Sequence, residues 1–432
     1  MRIADREVRH IAILGFGRTG RAVLDYSLAH GVHAFVSDSA GIGAEDTAFL
    51  TANDVPYEEH GHTKHALEQA EMIVLSPGVP RDISLLAQAA SAGILVISEL
   101  DLAYHLAPRV PLVAVTGTNG KSTTVTLIEA ILRGSGLKAI AAGNIGIPFI
   151  SLVDDASAYD AIILEVSSFQ LEQSEAFCPH VAVILNIAPD HLERHKTMSA
   201  YVEAKARLFQ HQNDGDWAII PADLESVFSD IVAQKVIFDQ LRLPSSPLTA
   251  RISPHNRANL RAAAAASMCV SPGLSLSKID LRGIEEAFRL PFRMHEEPRI
   301  RTIKVINDSK STNAASAIAA LASITGTLIL ILGGKHKGAG YESLAEAVKA
   351  HQVRHVILFG AAATLLRDTL CDTGYTEISE CSTLDQALSL ALDLASDNDT
   401  ILFSPACSSY DQYRNYVERG EHFSRLIAAR LE

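Results

Sequence analysis

The sequence is poor in several things, and each shortage removes a class of protein. It has five cysteines in 432 residues, one tryptophan and no pair of cysteines in Cys-x-x-Cys spacing. Cys178, Cys269, Cys371, Cys381 and Cys407 are scattered and odd in number, which argues against a disulfide framework or a structural zinc site and for a reducing compartment. Long apolar runs are missing as well. The longest, such as Leu328–Leu332, stop far short of the roughly 18 residues that span a bilayer. The opening Met1-Arg2-Ile3-Ala4-Asp5 carries no apolar stretch and no small-residue cleavage site of a secretory signal. No long basic run with interleaved aromatics occurs, and the formal net charge is −13, so nucleic acid is not expected as the main partner. These shortages lead us to expect a cytoplasmic protein with neither membrane nor nucleic acid among its partners.

What is present is ordinary globular composition, 48% hydrophobic and 20% charged, over a length that exceeds one hydrophobic core. Short apolar runs recur, each ending in glycine or a polar turn and followed by a helical pattern: Ile11–Leu14, Met72–Leu75, Leu112–Val115, Ile162–Leu164, Val181–Leu185, Leu328–Leu332, Val356–Phe359 and Ile401–Phe403. This alternation is the signature of parallel α/β sheets, whose functional residues gather at the carboxyl ends of the strands. Ala107-Pro108-Arg109-Val110-Pro111 reads as a linker, a second break falls near Leu290-Pro291-Phe292-Arg293, and Leu243–Pro247 reads as an internal loop. Three α/β domains are expected, over 1–108, 109–291 and 292–432. No internal repeat or low-complexity tract stands out, and the alanine run Ala262–Ala266 falls inside an expected helix.

Two glycine loops follow strands. Gly15-Phe16-Gly17-Arg18-Thr19-Gly20 fits the dinucleotide fingerprint, with Asp38 about 20 residues on at the end of the next strand. Such a loop lets a diphosphate approach a helix N-terminus, where free N–H groups and the dipole favour anions. By itself the motif leaves open a nicotinamide or flavin cofactor, another diphosphate, or a structural turn. Ser76-Pro77-Gly78 either extends the anion site or simply ends a strand. The second loop is more specific: Leu112–Val115 leads into Thr116-Gly117-Thr118-Asn119-Gly120-Lys121-Ser122-Thr123-Thr124. The strict GxxxxGK[ST] pattern fails because Val115 occupies its first glycine, yet the physics survives. Backbone N–H groups cradle phosphates, Lys121 neutralises charge on the β- and γ-phosphates, and Ser122 can ligate Mg²⁺.

Glu165 follows the strand Ile162–Leu164, and His191 follows Val183-Ile184-Leu185-Asn186. Mg²⁺ takes few protein oxygens beside phosphate and water, which makes Glu165 the natural ligand and His191 the unusual one. Spacing gives Lys205 no chemical role; it reads as a solvated helix lysine. In the last third, three polar clusters follow strands: Asp308-Ser309-Lys310-Ser311-Thr312-Asn313, Gly333–Gly338 with Lys335 and Lys337, and Ser404–Tyr413. Cations and hydroxyls from three loops at one sheet edge suit an acidic small molecule. Cys407 lacks a base that would activate it and reads as a small buried thiol.

Gly117–Thr123, Leu164–Leu171, Asn186–His191 and His255-Asn256-Arg257-Ala258-Asn259 together resemble the signatures of the Mur ligase family, with further matching motifs in all three expected domains. Within the family, Asp308–Asn313 and Ser404–Ser409 resemble the branch that adds D-glutamate. The resemblance implies a three-domain architecture: a Rossmann-like N-terminal domain for a UDP-linked precursor, a P-loop ATPase central domain and a Rossmann-like C-terminal domain for the amino acid. It implies ATP, D-glutamate and UDP-N-acetylmuramoyl-L-alanine as small-molecule substrates, joined by way of an acyl phosphate, with Mg²⁺, in a pair, as cofactor. It assigns UDP, not a redox cofactor, to Gly15–Gly20, with Arg18, Thr19, Asp38 and Ser76 as contacts to the nucleotide or its phosphates and Asn144 as a contact to the sugar–peptide part of the precursor. ATP falls to Gly117, Thr118, Asn119, Gly120, Lys121, Ser122, Thr123, Asn256, Asn259, Arg293 and Asp308. Mg²⁺ falls to Ser122, Glu165, His191 and a carbamylated Lys205, and D-glutamate to Lys310, Thr312, Lys337, Ser409 and Tyr416. Lys121, Glu165, His191 and Lys205 form the catalytic set. Two departures stand out: Ala40 where some relatives carry arginine, and Tyr416 where phenylalanine is expected. A monomer is expected. The rival readings are a related Mur-type or folylpolyglutamate-type ligase, a nucleotide-dependent oxidoreductase and a non-catalytic ATP-binding regulator.

Overall fold

All eight apolar runs form strands, and the reason is visible in their surroundings: each is covered on both faces. In Leu328–Gly333 the side chains of Leu328, Leu330 and Leu332 enter one apolar cluster with Ala317, Leu344 and Leu366, while Ile329 and Ile331 enter another with Leu388, Phe423 and Ile427. A strand buried on both sides needs no polar alternation, so it reads as a continuous apolar run. The computed structural model describes residues 1–3, 6–275, 281–351 and 353–431.

Three large sheets result. In the first, Tyr57–Glu58, His33–Ser37, His10–Leu14, Met72–Leu75 and Leu95–Ser98 lie side by side, all parallel. The strand order reverses at His10–Leu14, so the chain leaves that strand at a switch point, the position beyond whose strand ends open α/β sheets bind their ligands. In the second, the order is Gln234–Ile237, Trp217–Ile220, Val181–Ile184, Leu112–Thr116, Ala161–Glu165 and Ala139–Gly143, again all parallel. The strand that feeds the lysine-bearing glycine loop is therefore central, and Glu165 is in register with Val115 beside it. In the third, Ile303–Asn307, Thr400–Ala406, Leu328–Gly333, Val353–Phe359 and Ile378–Cys381 run parallel, with His295–Ile300 antiparallel on the edge. Its first three parallel strands are neighbours, so the loops after Asn307, Ala406 and Gly333 leave from one edge.

The chain condenses into two compact units. One comprises Met1–Asn186, Val202–Ala250 and Asn256–Ile284 and holds the first two sheets; the other comprises Ile187–Tyr201, Arg251–His255 and Glu285–Glu432 and holds the third. Within the first unit, the helix Glu99–Leu106 joins the two sheets. Its buried Asp101 accepts from the Ser174 hydroxyl at 2.6 Å and from the N–H groups of Glu175, Ala176 and Phe177 at 2.7, 3.3 and 3.0 Å. Gln173 returns the tie, donating to the carbonyls of Ser76 and Val79 at 3.2 and 2.7 Å. Among the described residues no helix is long and apolar enough to cross a membrane.

Glu99 is the costly member of this joint. Burial pushes its carboxyl from the ordinary 4.5 up to about 7, against the pull of the Ile150 N–H it accepts at 3.0 Å and of the Arg18 charge. Because the folded-state value is raised, the protonated carboxyl stabilises the fold fully below pH 4.5, and that contribution is lost as the pH climbs through about 7. The neutral isostere in Glu99→Gln is expected to flatten the fall in unfolding temperature across this window. It should be more stable than the parent by on the order of 3 kcal/mol above it. Thermal melts from pH 4.5 to 8 check this; an unchanged pH slope in the variant would contradict a buried Glu99 charge.

Candidate active site

The loop after Leu112–Thr116 turns into the helix Lys121–Gly134 through Gly120, whose φ of 87° lies in the left-handed region and whose missing Cβ would collide with the Asn259 carboxamide. Only glycine fits there. Lys121 folds its ammonium over the loop, donating to the carbonyls of Gly117 and Thr118 at 2.8 and 2.9 Å. Asn186 shapes the same loop from the neighbouring strand: its carbonyl accepts from the Thr118 N–H at 3.0 Å, and its side chain pairs with the Asn119 backbone at 2.9 and 3.0 Å. The Thr123 hydroxyl, in the first turn of the helix, is buried without a hydrogen-bond partner. A buried hydroxyl, a lysine and a helix N-terminus around one turn suit a phosphate chain. Asn259 donates to Asn256 at 3.4 Å against this loop.

Glu165 ends the adjacent strand, 3% exposed. One carboxylate oxygen accepts from the Ser122 hydroxyl at 2.6 Å, the other from the Asn144 carboxamide at 2.8 Å. Hydroxyl and carboxylate oxygens at a phosphate loop are the donors Mg²⁺ prefers. Lys205 overturns the reading of a solvated helix lysine. It is 1% exposed, and its ammonium donates to the Gly117 carbonyl at 3.0 Å and the Thr116 hydroxyl at 3.4 Å. An ammonium cannot ligate a cation; converted to a carbamate, the same side chain would offer oxygens. Among the described residues no three His, Cys, Asp or Glu side chains gather as a metal cluster. His191 belongs to the second unit, in a left-handed backbone conformation (φ 55°) with its ring between Asp190 and Glu193 at 3.6 and 3.4 Å.

At the first glycine loop, Gly20 lies so close to Gly15 that a Cβ would strike its carbonyl, the tight helix approach such a fingerprint requires. Asp38 binds this loop directly, accepting from the Phe16 N–H at 2.5 Å, while its other oxygen takes the N–H of Ala40 in its own turn at 2.8 Å, and the Ser76 hydroxyl donates to the Gly15 carbonyl at 2.7 Å. Arg18 and Thr19 open the following helix. The fold thus brings together Arg18, Thr19, Asp38 and Ser76, and Arg18 reaches Asn144 at 2.8 Å.

In the second unit, Asp308 is 5% exposed and accepts from the Ser404 hydroxyl at 2.7 Å and the Met294 N–H at 3.1 Å. Burial pushes its carboxyl up to about 6, moderated by Ser404 and by the Arg293 charge. Lys310 donates to the Tyr416 hydroxyl at 2.9 Å and lies 4.6 Å from that ring's centre. Lys337 bridges the Thr312 hydroxyl at 3.4 Å and the buried Asp190 carboxylate at 3.3 Å, and Asn313 donates to Asp190 at 3.2 Å. Ser409 is buried in the next loop. Cys407 is buried with its thiol 3.0 Å from the Tyr341 hydroxyl, and burial lifts it to about 11, far from a nucleophile's range.

Three residues here carried little signal in the sequence. Asp190 and Asn186 lie inside the motif Asn186–His191, whose spacing gives neither a role of its own. Arg419, wholly buried, donates to the Ser309 hydroxyl and carbonyl at 3.1 and 2.9 Å and to the Cys407 carbonyl at 3.1 Å. It thereby ties the loop after Asn307 to the loop after Ala406. Burial lowers its guanidinium to about 10, which leaves it charged at neutral pH. Its one sequence cue was its place a turn after Tyr416 on the helix Tyr416–Ala428.

Comparison with known proteins falls on the same regions. The family described as the Mur ligase middle domain matches residues 115–241, the Mur ligase glutamate ligase domain matches 292–407, and the MurD N-terminal domain matches 10–85. The chain is 39% identical to the UDP-N-acetylmuramoylalanine–D-glutamate ligase of Desulfotalea psychrophila, over 96% of this chain and 95% of that protein. It is 36% identical to the protein of the same name from Geotalea uraniireducens, over 97% of each. Among solved structures, the UDP-N-acetylmuramate-alanine ligase of Thermotoga maritima superposes with a TM-score of 0.60 at 18% identity, over 97% of this chain and 99% of that one. The MurF ligase of Thermotoga maritima in complex with ADP gives 0.58 at 16%, over 98% and 96%. At such identity these two establish the fold.

Proposed function

The chain belongs to the Mur ligase family, and we propose that it is the ATP-dependent ligase joining D-glutamate to UDP-N-acetylmuramoyl-L-alanine, with ADP and phosphate as the other products, in peptidoglycan precursor synthesis. The observation that carries this reading is the near-full-length similarity to relatives named for that reaction. The expected compartment is the cytoplasm and the expected form a monomer. We assign residues 1–108 to the UDP-linked acceptor, 109–291 to ATP and 292–432 to D-glutamate.

The chemistry follows from the residues. A carboxylate is a poor electrophile, and the transfer of a phosphoryl group makes it a good one. The acceptor's carboxylate oxygen attacks the γ-phosphorus of ATP, the bond to ADP breaks, and an acyl phosphate forms. The amine of D-glutamate then attacks the acyl carbon, the carbon–oxygen bond to phosphate breaks, and the amide remains with protons released. Lys121, exchanging the loop carbonyls it now holds for phosphate oxygens, spreads the developing charge. Ser122, Glu165, His191 and a carbamylated Lys205 are assigned to two Mg²⁺ ions, which when bound neutralise phosphate charge. The buried hydroxyl of Thr123, with Gly117–Gly120, suits the phosphate chain, and Asn256, Asn259, Arg293 and Asp308 are assigned to the rest of ATP. Arg18, Thr19, Asp38, Ser76 and Asn144 are assigned to the acceptor. Lys310, Thr312, Lys337, Ser409 and Tyr416 are assigned to the two carboxylates of D-glutamate, for which the lysines supply charge and the hydroxyls hydrogen bonds.

An acceptor labelled with ¹⁸O in its carboxylate tests the route. One labelled oxygen per turnover is expected in the released phosphate, and in Lys121→Ala release is expected to fall by about a thousandfold or more. Unlabelled phosphate, or near-normal turnover in the variant, would refute it. For Lys205, the Lys205→Ala variant is expected to lose activity and to regain part of it with added short-chain carboxylic acids. A folded variant that no acid restores would count against the carbamate.

A further inference from the structure

Arg18 stands at the first glycine loop, yet its guanidinium is bonded outside that loop. Nη2 donates to the Asn144 carbonyl at 2.8 Å. Asn144 is tied twice to Glu165: its backbone N–H donates to the Glu165 carbonyl at 2.9 Å and its carboxamide to the carboxylate at 2.8 Å. Ser122 holds the other carboxylate oxygen at 2.6 Å. The backbone here has little freedom. Gly143 sits at φ 97°, where a Cβ would collide with the Glu165 carbonyl, and the far end of the same segment is fixed by Glu99, which accepts from the Ile150 N–H at 3.0 Å. A guanidinium carries five N–H donors in a planar fork, and the Arg18 side chain is exposed, so one group can serve Asn144 and an anion at Gly15–Gly20 together.

We propose that Arg18 is a positioning residue that couples the two substrate sites: the guanidinium that holds the Asn144 carbonyl also takes the acceptor's diphosphate, and through Asn144 it steadies the Glu165 carboxylate for Mg²⁺–ATP. The proposal rests on the reading of Gly15–Gly20 as the acceptor's diphosphate site. Coupling between binding sites is reciprocal, so each substrate strengthens the other by the same factor. A direct phosphate ligand without this role would weaken acceptor binding when changed but leave the coupling factor alone.

Calorimetric titration of the full chain with UDP-N-acetylmuramoyl-L-alanine, with and without Mg²⁺ and a non-hydrolysable ATP analogue, measures that factor. The parent protein is expected to bind the acceptor at least about fivefold more tightly when the nucleotide is present. Arg18→Lys keeps a charge for the diphosphate but lacks the fork, so the factor, read as the ratio of acceptor affinities with and without nucleotide in the same variant, should drop to within about twofold of unity even where acceptor binding itself weakens. Arg18→Met should lose both. Undiminished coupling in the two variants, or a parent that binds both ligands without coupling, overturns the proposal alone. A parent that does not bind the acceptor at all overturns the functional reading along with it.

Discussion

The arrangement depends first on how the Glu165 carboxylate is held. A buried carboxylate is tolerated only when its oxygens are satisfied. Here a serine from the phosphate loop takes one oxygen and an asparagine from the neighbouring strand end takes the other. Both donors are neutral hydrogen-bonding groups, a hydroxyl and a carboxamide. The pairing exists because three parallel strands, Leu112–Thr116, Ala161–Glu165 and Ala139–Gly143, lie side by side and finish at the same edge. Lys205 lies under the same loop, its ammonium buried against the Gly117 carbonyl and the Thr116 hydroxyl.

The C-terminal sheet solves a different problem, the display of cations and hydroxyls on loops that must not wander. Loops are mobile unless their backbone groups are tied down. Arg419 does this from beneath, spending its donors on the carbonyls and hydroxyl of two loops rather than on a carboxylate. The loop after Gly333 is joined to the same set by paired backbone hydrogen bonds between Lys335 and Ser408. Lys310, Thr312, Lys337 and Ser409 are thus displayed from a braced platform.

Much of this was legible in the sequence because doubly covered parallel strands write themselves as unbroken apolar runs, and because glycines at Gly120 and Gly20 are demanded by close approaches that no other residue permits. The strand His295–Ile300 was not legible: an edge strand with two glutamates and a proline has no apolar run to betray it. Nor was the fate of Lys205 or Arg419. A lone cation on a helix looks the same in sequence whether it is solvated or buried, and what decides is the set of oxygens brought to it by distant strands. The Asn144–Glu165 contact likewise depends on which strands are neighbours, a fact that spacing along the chain does not contain. The family resemblance supplied roles for several of these residues where periodicity could not.

The central claim is the identity of the amino acid added. Phosphate release from ATP, measured with UDP-N-acetylmuramoyl-L-alanine and with D-glutamate, L-lysine or meso-diaminopimelate in separate reactions, tests it most directly. The account predicts release with D-glutamate alone and a nucleotide product heavier by one glutamyl residue. Release with L-lysine or meso-diaminopimelate and none with D-glutamate would contradict it.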